Sequence, residues 1–345
     1  CVKRLAALPV PASWQCEYVL AETLFAQMLA LPAPPARVIF YAAVLADLCR
    51  LRTAQETPML PKMAPALAAT VGALFRRVGG MDVEARSRMA EWLALHLSNF
   101  SFHWPWDRWA HAAALPETAP ARLFIQECLH RMVRLSYWER IEQSLPEALK
   151  PLLPAKPEAR SRYAADIAEA RDIPGTEVAF AQELMGRIKS KQSVRQLEEY
   201  VEEAAGSMED PLAGARVVAT VVLILCSKSL THLVTLLERF KRVIMKVAVS
   251  QREQEEVVQC AADIWASAPQ HLAITVERLL SHKVVENVAI VDWAFAHWDK
   301  TLHGRLPSSA TSVHRMCVWE VLNLVVGKTA ARAADLDGNL AAAEA

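Results

Sequence analysis

Apolar residues recur along almost the whole chain at intervals of three and four, the spacing of one face of an α-helix. A first stripe of Leu20, Leu24, Met28 and Leu31 can be capped by Ser13 and is ended by Pro32. Pro34-Pro35 opens a second helix with Val38, Tyr41, Leu45 and Leu48 on one side. A third carries Leu67, Val71, Leu74 and Val78 and stops at Gly79-Gly80. Asp82 caps a fourth, with Met89, Leu93 and His96 on its stripe. Leu123 to Leu135 forms another, and Ser136-x-x-Glu139 reads as a capping box for the next. Helices alternating with short Pro/Gly loops, about 40 residues per pair, give the layout of stacked helical hairpins.

The fourth helix runs into an aromatic run, Phe100, Phe102, Trp104, Trp106 and Trp109, in which three of the ten tryptophans fall within six residues. Large rings fix the angle at which two elements meet, and Pro105 cannot continue a helix. The stretch predicts a helix ended by Pro105, an aromatic elbow and a new helix from Trp106. Core packing accounts for these rings better than a base-stacking platform, because only Arg108 and His103 are basic nearby.

Pro146, Pro151, Pro154 and Pro157 mark a boundary between a domain over 1–153 and another over 154–345. Beyond it Thr176 caps a helix, and Ser193-x-x-Gln196 and Ser250-x-x-Glu253 are capping boxes. Pro211 to Cys226 is apolar all round, as a helix covered by neighbours must be. Thr231 to Val249 sets Leu233, Leu236, Leu237, Phe240 and Ile244 against Arg239, Lys241, Arg242 and Lys246. Pro269 opens a helix, and Val284 to Trp298 and Val313 to Val326 follow. The expected fold class is all-α: two domains of stacked antiparallel helical hairpins in a HEAT/armadillo-like solenoid.

Composition narrows the function. Of 345 residues 53% are hydrophobic and only 10 are glycine, while Lys+Arg and Asp+Glu are both 38. A chain that grips phosphates broadly carries a basic surplus, so direct RNA binding is disfavoured. The basic side of Thr231–Val249 reads as a solvated face, and so do the acid pairs Glu198-Glu199 and Glu202-Glu203. The seven cysteines form no C-x-x-C pair, which argues against zinc or a disulfide framework and fits a reducing compartment. The longest apolar run, Val217 to Cys226, is too short for a membrane.

Chemical motifs fail one by one. Gly327-Lys328-Thr329 lacks the upstream glycine of a phosphate loop, since position 322 is leucine. Asp335-x-Asp337-Gly338 lacks the flanking ligands of a calcium loop and reads as a turn. Asn99-Phe100-Ser101 is a glycosylation sequon only in form. Cys128 and His130, two residues apart on a helix, point in different directions and cannot act as a pair. His96, on an apolar stripe, reads as a hydrogen-bonded core histidine. No catalytic, cofactor-binding or metal-ligating residue emerges, and no enzyme activity is expected.

The string Leu97-Ser98-Asn99-Phe100-x-Phe102-x-Trp104-x-Trp106-x-x-Trp109 resembles the large subunit of the nuclear mRNA cap-binding complex. Arg134-Leu135-Ser136-Tyr137-x-x-Arg140-Ile141 is similar to the end of that family's second helical domain. Lys228-Ser229-x-x-His232, Ile264-Trp265-x-x-x-Pro269-Gln270, Asp292-Trp293-x-Phe295 and Val318-Trp319-Glu320 resemble its third, which the chain would contain incompletely at its C-terminal end. The resemblance implies a nuclear scaffold, able to shuttle to the cytoplasm, in mRNA processing, splicing, export and nonsense-mediated decay. Its implied partners are a small subunit with an RNA-recognition motif, capped RNA indirectly through that subunit, and processing and export factors. Arg134, Tyr137 and Arg140 are the residues expected to touch the partner, because Arg and Tyr anchor interfaces. The rival reading is a helical-repeat transport receptor or adaptor without cap function.

Overall fold

The computed structural model describes residues 3, 11, 15–302 and 311–344. Among them the chain is all-α, with one isolated antiparallel bridge between Arg52 and Pro58 and no strand. It divides into two compact units, Cys1–Pro154 and Ala155–Ala345, each with its own hydrophobic core.

In the first unit α1 (Cys16–Met28), α2 (Val38–Arg50), α3 (Met63–Arg76) and α4 (Val83–Asn99) precede α5 (Pro120–Leu135) and the short α6 (Trp138–Gln143). Short 3-10 segments, Val78–Gly80, Trp106–Ala114 and Glu147–Leu152, join or follow them. Helices pack on their next-but-one neighbours, α1 on α3 and α2 on α4, while α4 also lies along α5. That pattern is the stacking of hairpins. The middle of the stack is α4, which buries Met89, Trp92, Leu93 and Leu97. Asp82 starts it by accepting from the Glu84 amide at 2.8 Å.

Arg88 on the same helix is buried, and its guanidinium donates to the carbonyls of Ala30 (2.8 Å) and Pro32 (2.9 Å). It fixes the α1–α2 loop, where the Leu31–Pro32 peptide is cis. Ser13 lies outside the described residues. The first helix starts behind Gln15, whose φ of 48° is left-handed and whose side chain makes no cap.

The second unit runs α7 (Ala165–Ala170), α8 (Gly175–Lys189), α9 (Val194–Gly206), α10 (Ala213–Cys226) and α11 (Leu230–Met245). Then come α12 (Gln251–Ile264), α13 (Pro269–Ser281), α14 (Asn287–Leu302) and α15 (Thr311–Glu344). Among the fourteen residues of α10 only Arg216, Ile224 and Leu225 are not buried, since α8, α11 and α12 all pack on it. A Cβ on Gly214 would stand 2.5 Å from the Ala205 methyl, so only glycine allows α9 and α10 this close. Both expected capping boxes form, at Ser193 and Ser250.

Other expectations need correction. The Ser136-x-x-Glu139 box does not form: Ser136 ends α5, and α6 begins behind Tyr137 without a side-chain cap. Thr176 sits inside the first turn of α8, whose N-cap is Pro174. Asp335 to Gly338 is no turn. A single 34-residue helix runs through it and through Gly327, because the alanine-rich stretch outweighs the cost of two glycines.

Candidate partner-binding surface

The elbow forms earlier than Pro105 requires. α4 ends at Asn99, and the Phe102 amide returns to the Leu97 carbonyl at 2.8 Å. Ser101 and Phe102 both adopt left-handed backbone, φ 56° and 61°. That conformation is unfavourable for residues with a Cβ, and the burial of Phe102 to 3% exposure holds it in place. The new helix from Trp106 is a 3-10 helix.

Phe102, Trp106 and Trp109 are core, Trp104 packs half-buried against it, and Phe100 is half-buried. Trp109 stacks on Phe75 of α3 at 4.1 Å and 16°, and Trp104, Trp106 and Phe124 surround it within 6.2 Å. His96 departs from expectation. It is buried against Trp92 (4.8 Å, 19°) and Phe100 (4.7 Å), and its Nδ1 has no hydrogen-bond partner. Burial, and then the Arg50 charge, push its pKa down to about 4, so it packs as a neutral ring.

Arg134, Tyr137 and Arg140 are all exposed around the α5–α6 junction. Tyr137 is 60% exposed, and the Arg140 guanidinium lies over the Phe102 ring at 5.6 Å. The fold thus ties one of the three to the elbow. Trp138 anchors the junction from below, donating from Nε1 to the Pro154 carbonyl at 2.8 Å. Leu135, 44% exposed, adds apolar surface beside them.

On another side of the elbow a cleft of about 770 Å³ opens between α3, the Trp106–Ala114 segment and the start of α5. Small residues (Ala68, Ala69, Gly72, Ala119, Ala121) and the apolar rings Phe75, Trp104 and Trp109 make its walls. Arg76, Arg108 and His111 also line it, and no carboxylate does. Reading Trp104–Trp109 along the sequence leaves out α3, and without α3 the cleft is invisible.

In the second unit the charges are largely matched within the fold. Three of the four basic residues on and just after α11 face acids: Arg242 pairs with Glu198 (3.1 Å), Lys246 with Glu202 (3.0 Å) and Lys241 with Glu238 (2.7 Å), while Arg239 lies over the Phe240 ring. Glu198 is buried to 9% exposure, contrary to the solvated reading. Beneath, Arg216 of α10 is held by Glu256 (2.5 Å), Asp210 (2.7 Å) and Glu177 (3.0 Å), and Glu177 also accepts from the Tyr163 hydroxyl (2.9 Å). Burial alone would lower the Arg216 pKa, but the hydrogen bonds it donates to Glu256 and Asp210 outweigh that and raise it. These side chains hold α8, α10 and α12 together.

Lys328 and Thr329 lie within α15, where the lysine contacts Glu277 and the hydroxyl bonds the Val325 carbonyl at 2.8 Å. A helical backbone offers no phosphate cradle there. Among the described residues no group of three His, Cys, Asp or Glu side chains could hold a metal, and no helix is long and apolar enough to cross a membrane. None of the six described cysteines is in a disulfide, and burial pushes the Cys226 and Cys260 thiols up to about 12.

Comparison with known proteins gives this architecture a family. Residues 2–147 and 169–345 match two families, each described as MIF4G like. The chain is 36% identical over 344 residues to nuclear cap-binding protein subunit 1 of Arabidopsis thaliana, covering 97% of this chain and 37% of that protein. It is 35% identical to the same subunit of Oryza sativa subsp. japonica, over 97% of this chain and 37% of the relative. With that of Aedes aegypti it shares 28%, over 95% and 39%. The chain therefore spans little more than a third of the length of the curated relatives it matches. Two helical units and these matches lead to one conclusion: the chain belongs to the MIF4G-like family and is a homologue of nuclear cap-binding protein subunit 1.

Proposed function

We propose that this chain is scaffold from the large subunit of the nuclear cap-binding complex. In this reading it binds and orders a small subunit with an RNA-recognition motif, which holds the 7-methylguanosine cap. The chain reaches capped RNA through that subunit, performs no chemistry of its own, and works in the nucleus in transcript processing and export. The observation that carries the proposal is the similarity to subunit 1 of two plants across 97% of this chain. The basic face of α11 supports an indirect route to RNA, because three of its four cations, Lys241, Arg242 and Lys246, are matched by Glu238, Glu198 and Glu202. A stiff surface that orders a partner's mobile segments raises cap affinity without new cap contacts.

The domain over 1–153 would be the second helical domain of that subunit and 154–345 the third. Arg134, Tyr137 and Arg140 are the proposed partner contacts, supported by their exposure beside Leu135. Cap-analogue affinity chromatography tests the division of labour. The chain should be retained only with the small subunit present. Replacing all three residues by alanine should lower affinity for the small subunit at least ~10-fold, the effect of losing one interface anchor. Retention of the chain alone would overturn the proposal, and indifference to the small subunit would favour a general adaptor.

A further inference from the structure

The cleft beside the elbow is a second surface in the first unit. We propose that it binds an acidic peptide segment carrying one bulky apolar anchor. The walls suit a side chain: small residues from α3 and α5 leave room between the rings of Phe75, Trp104 and Trp109. The charge suits an acidic flank. Arg76 and Arg108 are exposed, and among the described residues neither has an ion pair, while His111 adds a third basic side chain to the lining. The acids nearest in sequence, Asp82, Asp107 and Glu117, stay outside the lining. The surface cations Lys241, Arg242 and Lys246 of the second unit, by contrast, are matched by carboxylates. The rim of the cleft is left without its counterpart.

Single-stranded RNA is the weaker fit. Stacking needs open ring faces, and Phe75 and Trp109 already cover each other at 4.1 Å. Peptide recognition of acidic motifs by arginines needs no open ring.

The test is selection from a displayed library of random peptides on the full chain, with a decamer of uridine as the nucleic-acid arm. Asp and Glu flanking a Trp, Phe or Leu should be enriched. Synthetic versions of the winners should lose at least ~10-fold in affinity, read by fluorescence anisotropy, on the charge-reversed chain R76E/R108E. Ala69→Trp, an exposed position in the lining, should block them equally and keeps the test alive if the double reversal disturbs folding. Selection of neutral or basic sequences, no enrichment, or affinity unchanged by either variant would overturn the proposal. Uridine decamer bound by the native chain and lost from R76E/R108E would overturn it too, assigning the cleft to nucleic acid. The inference goes beyond the scaffold reading and does not rest on it, since small-subunit retention is measured separately and either result can fail alone.

Discussion

Replacing His96 by phenylalanine should flatten the acid side of the stability profile. The ring is 8% exposed, wedged between Trp92 and Phe100, with Arg50 close enough to repel a second cation. Its pKa falls from an ordinary 6.5 to about 4. Above the unfolded value the ring is neutral in both states and stability is complete. As pH falls from there toward 4, the unfolded chain takes up a proton that the folded chain refuses, and stability drains away. At about 1.4 kcal/mol per unit this amounts to roughly 3 kcal/mol across the window.

One effect opposes the loss. An imidazolium over the Trp92 face would gain a cation–π interaction of roughly 0.5–2 kcal/mol. Desolvation and the Arg50 charge together outweigh that gain, so the loss should remain. Phenylalanine keeps the ring stack, gives up no hydrogen bond because Nδ1 has none, and cannot titrate. Urea unfolding followed by near-ultraviolet circular dichroism, at steps between pH 7.5 and 4.5, would give both profiles. His130 and His271 are also lowered by burial, but they contribute equally to both proteins and cancel in the difference. Parallel profiles would refute the reasoning and show that Trp92 compensates the charge.

Further substitutions test the packing. Arg216→Ala strands Glu177 and Glu256 without their cation and should cost about 3–5 kcal/mol by denaturant unfolding; converting both acids to glutamine in the same chain should recover much of it. Trp109→Ala removes the ring shared by Phe75, Trp104, Trp106 and Phe124, and should cost about 3–5 kcal/mol with loss of near-ultraviolet dichroism. Gly214→Ala should cost about 1–3 kcal/mol, because its methyl meets Ala205, while Gly186→Ala, with open space around it, should be neutral or stabilising.

Local rules make much of the fold legible in the sequence. Stripes such as Val38, Tyr41, Leu45 and Leu48 are set by helical period, and all four are buried. The boxes at Ser193 and Ser250 need only four residues to form. Legibility ends where two local rules compete or where distant residues decide. Ser136 has the spacing of a box, but it serves as the C-cap of α5. Pro105 is an evident stop for α4, yet the buried Phe102 turns the chain before the proline is reached. No spacing rule brings Arg216 to Glu177 and Glu256, 39 and 40 residues away, or exposes the need for glycine at 214.

The same distinction bears on the surfaces. A basic helix and an acidic helix look, in sequence, like two solvated faces or an RNA grip and its counterweight. Folding lays α11 beside α9, so Arg242 and Lys246 meet Glu198 and Glu202, and the charges become internal bonds. Such pairs contribute little stability when exposed, but they remove cations from the pool that could attract phosphate. The cations left over are then the informative ones. Arg76 and Arg108 stand at an apolar cleft with no acid in its lining to meet them, and Arg140 lies against the buried Phe102 beside an exposed tyrosine. In a chain whose formal charges sum to zero, these positions on the first unit offer unmatched positive charge beside apolar surface.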